Sequence, residues 1–358
     1  MHWELSEEQD LFVSSLREWL QERAESSTLR DWLATGDHVQ FERLFVGEGW
    51  AGVGFDENFG GQGGGVLELA LTARELGRSA VSSAGWLQSA VVVPALAGEA
   101  DALRAAVESG EVTALAVRAD RIPAATSVQT SGDQLRGRIP CVLGASRARR
   151  LLVPVRHGDQ MSLWLADSAA GGMGVHPRPL LDRSRDVADV TLDDVTARRL
   201  DIDAAAALGE MASRAAILVA ADALGACERM LQLAVDYSKQ RQQFGQPIGA
   251  FQAVKHAAAQ MLVTVESSMS IALYAAQSVE EDLPDRAIHA AVAKAQVTGH
   301  AAELADSALT LHGAVGYTWE HDLHLFYKRA KLDRILFGTP TAWNERIAEA
   351  LPLIPVPA

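Results

Sequence analysis

The sequence predicts an α+β fold in three zones: a helical N-terminal domain over residues 1–110, a small β-domain over 111–200, and a four-helix bundle over 201–358. Apolar residues fall at helical spacing at both ends, and short apolar runs broken by turn residues lie between them. The chain, 358 residues and 48% hydrophobic, is also long enough for two or three domains at roughly 150 residues each.

The first helix begins at a capping box, Ser6 with Gln9 three residues on, and Leu11, Ser15, Trp19 and Leu16, Leu20 keep helical spacing. The cluster Gly60, Gly61, Gly63, Gly64, Gly65 then interrupts the pattern, and Leu67, Ala70, Leu71 and Arg74 resume it. Such a loop can cradle a phosphate, but no strand precedes it and no Lys-Ser/Thr follows, so it reads as a connection.

In the second zone Ala114 to Val117, Ile139 to Leu143, Leu151 to Val155 and Leu163 to Leu165 read as short strands, and Ala188, Val190 and Leu192 alternate with polar neighbours. In the third, Leu224, Cys227, Leu231 and Val235 share a helix face, as do Phe251, Val254, Ala258, Met261 and Val265, and Ile288, Ala291 and Ala295. Pro247 and Pro284 mark boundaries, and Leu351 to Ala358 reads as a tail. The stretch Ala215 to Gly225 is apolar nearly all round, which points to a helix buried either deep in a bundle or, the reading preferred here, at a subunit contact.

A formal net charge of -14 argues against nucleic acid or an anionic membrane as partner. Met1 to Asp10 does not read as a signal peptide, and the apolar stretch at Ala215 to Ala226 is too short to span a bilayer, so a cytoplasmic location is expected. Cys141 and Cys227 form neither a disulfide framework nor a zinc pattern; both are expected as buried thiols, with no metal.

Two motifs add to this. Tyr237-Ser-Lys-Gln-Arg241-Gln-Gln-Phe244-Gly245 leading to Phe251-Gln252, and Leu311-His312-Gly313-Ala314-Val315-Gly316-Tyr317, resemble signatures of the acyl-CoA dehydrogenase family. The resemblance covers almost the whole chain, with Gly60-Gly61, Glu75-Leu76-Gly77 and Asp182-Arg-Ser-Arg185 in support. It implies the family's fold, the desaturation of an acyl-CoA thioester, FAD as cofactor and an electron-transfer acceptor. The residues matching Arg241, Phe244, Gly245, Gln252, Thr310, His312 and Gly313 lie near the nucleotide end of FAD in the family, Arg241 and Phe244 reaching across a subunit interface. An arginine here can donate two parallel hydrogen bonds to a phosphate. Read without the family, Arg241 and Lys239 complement a helix C-terminus and Phe244 staples a turn.

The departures concern the chemistry. The family's reaction needs a carboxylate beside the substrate's α-carbon. The position before Gly338-Thr339 holds Phe337, and the alternative position on the first bundle helix holds Ala215. No catalytic base is assigned; Asp333, one turn before Phe337, is the sole remaining candidate, while Glu210, Asp222 and Glu228 read as solvated or paired. Arg118-Ala-Asp-Arg-Ile-Pro123 and Ile139-Pro-Cys-Val-Leu143 replace the segments that cover the flavin ring in catalytic members. The pattern resembles the base-lacking subunit of heterotetrameric α2β2 acyl-CoA dehydrogenases of steroid degradation, with a paralogous subunit as partner. The alternatives are a self-sufficient homo-oligomeric enzyme with an unidentified base and a flavin-free structural homologue.

Overall fold

The computed structural model describes residues 5–36 and 38–351; the expected tail at 352–358 lies outside them. Six helices come first, α1 (Glu7–Arg23), α2 (Ser26–Thr35), α3 (His38–Gly47), α4 (Val66–Arg78), α5 (Ala84–Val92) and α6 (Ala100–Glu108). The capping box at α1 is present in both directions, Gln9 N–H to Ser6 Oγ at 3.2 Å and Ser6 N–H to Gln9 Oε1 at 3.0 Å. The glycine loop before α4 is a connection whose helix N-terminus already has its anion. The Val66 N–H donates to Glu280, and a Cβ at Gly65 would stand 2.1 Å from that carboxylate.

Seven strands follow: β1 (Val112–Leu115), β2 (Gln129–Ser131), β3 (Gln134–Leu143), β4 (Ala148–His157), β5 (Gln160–Asp167), β6 (Met173–Arg178) and β7 (Val187–Arg199). Their order is β1-β4-β5-β7-β3-β2, with β6 also on β7. Ala188, Val190 and Leu192 of β7 all point into the β-domain core, as their alternation requires.

The remaining helices are α7 (Ala204–Gln240), α8 (Gln252–Glu280), α9 (Arg286–His312), α10 (Leu323–Asp333) and α11 (Pro340–Ala350), with a hairpin of β8 (Gln242–Gln243) and β9 (Gln246–Pro247) after α7. α7 is long and apolar enough to cross a membrane by length and composition, yet 72% of its apolar window is buried inside the protein, so it is a core helix.

This burial corrects one sequence expectation. Residues Ala215 to Leu224 are at most 2% exposed within the single chain, covered by α4, α9 and α10, so the stretch is internal core and not a subunit contact. The α4–α7 crossing is close enough to demand glycine on both sides. A Cβ at Gly225 would lie 1.8 Å from the Arg74 carbonyl, and one at Gly77 2.0 Å from the Asp222 carbonyl. Exposed apolar side chains gather elsewhere, as Leu262 and Val263 on α8, Phe244 in the hairpin, and Val315, Tyr317 and Trp319 after α9.

Candidate functional site: two half-sites of different character

Arg241 ends α7, its N–H bonded to Tyr237 O and its carbonyl accepting from Ile248 N–H, both at 2.8 Å. Its exposed side chain has no hydrogen bond or ion pair to the other described residues. Phe244 and Gly245 form the hairpin turn with φ of +53° and +83°. Two successive positive φ values are the geometry of a type I′ turn, which favours Asn-Gly and strains a bulky residue at its first centre. Phe244 is nevertheless there, 91% exposed, touching Phe251 edge-on at 6.0 Å. Gln252 opens α8 one residue later and is exposed.

The second motif lies beside the first because Tyr237, one turn before Arg241, stacks on His312 at 4.7 Å, with His321 4.6 Å from His312 on another side. His312 is turned inward: buried, with Nδ1 2.7 Å from Ala308 O, and desolvation lowers its pKa. It braces α9 against α7 and offers no surface to a ligand, unlike exposed Thr310 and Gly313. Thr310 donates to Asp306 O at 2.8 Å. Gly313, at φ +61° and ψ −145°, occupies backbone space open essentially to glycine alone. Tyr237 and His321 were not assigned from sequence; Tyr237 stands inside the arginine motif, and its aromatic character was the available signal.

The turn after α10 is closed. Phe337 is fully buried, its N–H donating to Ala119 O at 2.6 Å and its carbonyl accepting from the Trp343 indole at 2.9 Å. A Cβ at Gly338 would meet Ile122 at 2.7 Å, so the β-domain loop lies directly on this turn. The Lys294 ammonium, whose pKa burial pulls down to about 7, ties the same turn to α9 through Asp333 O at 3.0 Å and Gly338 O at 2.8 Å. Ala215 is likewise buried.

Behind Phe337 lies a buried ionic network. Arg329 grips Asp222 with Nε and Nη2, both at 2.7 Å, and also donates to Val81 O, Ser83 Oγ and Ser184 Oγ. Arg185 reaches Asp222 at 3.1 Å. Burial alone would raise the Asp222 carboxyl, but Arg329 and Arg185 outweigh it and hold it down to about 2. Asp333 goes the other way: burial first, then the neighbouring Asp222 charge, raises it well above the carboxylate range. Fully buried, it has no open path to a substrate proton.

Strand β3 is bulged. Pairing of β3 with β7 slips between Ile139 and Val142, Cys141 has φ +52°, and its N–H donates to Asp189 at 3.0 Å. Arg138 at 2.7 Å, and then that N–H, depress the Asp189 carboxyl to about 2. Cys141 is therefore half-buried and not the buried thiol expected; Cys227 is buried. No group of three or more potential metal ligands occurs among the described residues.

Comparison with known proteins agrees with this fold. The description "Acyl-CoA dehydrogenase, N-terminal domain" matches residues 6–102 and "Acyl-CoA dehydrogenase, C-terminal domain" matches 206–351. Acyl-CoA dehydrogenase IpdE2 of Mycobacterium tuberculosis is 30% identical over 295 residues, 82% of this chain and 80% of the relative. A solved Tcur3481-Tcur3483 steroid ACAD variant superposes with a TM-score of 0.86 at 26% identity, over 96% of this chain and 97% of the other. The fold is also that of a chain in the ChsE4-ChsE5 complex from Mycobacterium tuberculosis, with a TM-score of 0.87 at 24% identity over 99% and 100% of the two chains. The chain belongs to the acyl-CoA dehydrogenase family.

Proposed function

We propose that this chain is the base-lacking subunit of a heteromeric, FAD-dependent acyl-CoA dehydrogenase, holding the nucleotide end of a flavin whose ring and catalytic base belong to a paralogous subunit. The observation that carries this is Phe337 at the base position, buried and hydrogen-bonded on both backbone groups.

The two ends of FAD fit this chain differently. Arg241 has its guanidinium free for a phosphate pair and Phe244 presents a face on which an adenine or ribose could rest, while Gly313, whose N–H is given to Leu309 O, adds only the absence of a side chain. The bulge at Pro140-Cys141 and the closed 119–122 loop suit no flavin ring. When bound, FAD supplies the oxidising end of the desaturation. This chain's residues orient its phosphates through Arg241, cover its nucleotide with Phe244, and move no proton. A two-subunit arrangement is supported by the paired names of the steroid ACAD relative, and acyl-CoA thioesters of steroid origin are the substrate class that likeness favours.

The test is anaerobic titration with steroid acyl-CoA thioesters of the chain alone and of the chain co-purified with its paralogue. Bleaching of the flavin only in the complex is expected. Bleaching by the pure single chain would favour a self-sufficient enzyme, and absence of flavin from both would favour a flavin-free homologue.

A further inference from the structure

Away from both half-sites, a cleft of about 410 Å³ opens between α1, α2, the end of α4, α7 and α10. This is within the roughly 300–1,000 Å³ typical of small-ligand pockets. Its floor is apolar, with Leu20, Leu29 and Phe326, and three guanidiniums, Arg17, Arg78 and Arg229, line it.

The arginines are short of counter-charge. Arg17 is held by Glu75 through Nε at 2.9 Å and Nη2 at 2.6 Å. Glu228 serves both Arg74, at 2.7 Å, and Arg78, at 3.2 Å. Arg78 and Arg229 then share one neutral acceptor, Gln232 Oε1, at 3.0 and 3.1 Å, and Arg229 has no ion pair among the described residues. Four guanidiniums thus face Glu75, Glu228 and the rim residue Glu25. Desolvation lowers the Arg78 pKa, so an incoming anion would be favoured there. In a chain of net charge -14 this is a cationic recess over an apolar floor.

We infer that this cleft binds an amphipathic carboxylate, the carboxyl between Arg229 and Arg78 and the hydrocarbon body on Leu20, Leu29 and Phe326. A guanidinium with unused donors takes a carboxylate through two parallel hydrogen bonds. The floor supplies chain-length dependence, since each buried methylene adds affinity.

The full chain is titrated calorimetrically with decanoate, acetate and inorganic phosphate, in wild type and in Arg229→Gln. Arg229 lies outside the buried ion pairs, so the variant is expected to keep its melting midpoint. Saturable decanoate binding is expected, at least tenfold tighter than acetate or phosphate, about tenfold weaker in Arg229→Gln, and weakening with added sodium chloride. Absence of saturable decanoate binding overturns the inference, as does acetate or phosphate binding equally well. Should Arg229→Gln fail to fold, the salt series decides, and decanoate affinity indifferent to salt overturns the inference.

Discussion

The hairpin at 241–245 and the turn at 333–338 are both motif-bearing ends of bundle helices, and they differ in what they leave open. At the hairpin a guanidinium has no partner among the described residues, and a phenylalanine is held at φ +53° with its ring in water. At the turn both Phe337 backbone groups are bonded, Lys294 is tied to two carbonyls, and the adjoining Asp222 is clamped by two arginines. Backbone strain is common to both, Phe244 and Phe337 having φ of +53° and +54°; what separates them is that the hairpin side chains stand open to solvent and those of the turn are buried. The comparison teaches that two turns of like backbone conformation can differ wholly in how much chemistry they leave exposed.

The largest expected effect tests the buried region. Asp222→Ala strands Arg185 and Arg329 in the core and should cost about 3–5 kcal/mol, read by urea unfolding. Phe337→Glu buries an unpaired carboxyl and should cost several kcal/mol, roughly 4 or more, without creating acyl-CoA-dependent flavin bleaching; a stable, active variant would erase the contrast. At the hairpin the pattern should invert. Arg241→Ala should leave unfolding of the chain unchanged and lower FAD retention in the complex about ten- to a hundredfold, with Arg241→Lys recovering only part, as measured by flavin released on dilution. Phe244→Asn should stabilise the chain by about 1 kcal/mol by relieving the left-handed backbone while FAD retention falls.

The smallest effect is a pH dependence. Burial lowers the pKa of His312, His321 and His324. As pH drops through about 6.5 the unfolded chain takes up protons that the folded chain resists, so these groups remove stability below that pH and restore it above. The fall in melting midpoint between pH 7.5 and 5.5 should be smaller in His312→Gln than in wild type; an equal fall would contradict this.

Much of the fold was legible because its signals are local. The Ser6–Gln9 box, the strand alternation at Ala188, Val190 and Leu192, and the helical spacing from Leu224 onward each depend on neighbours within a few residues. Ala215 to Gly225 was legible as buried but not as to what buries it, since an apolar face looks the same whether α4 and α9 or another chain covers it. The Arg185–Asp222–Arg329 network joins residues far apart in the chain, Asp222 and Arg329 by 107 positions, which periodicity cannot pair. At the candidate site the motifs gave Arg241 and Phe244 as exposed chemistry, but the inward turn of His312 follows from its stack on Tyr237, a contact between two helices.

Flavin stoichiometry tests the division of labour most directly. The complex of this chain with its paralogue, measured by absorbance and quantitative amino-acid analysis, should hold one FAD for each pair of unlike chains, and this chain alone should hold none. One FAD per chain in the complex, or a full complement in the isolated chain, would contradict the account.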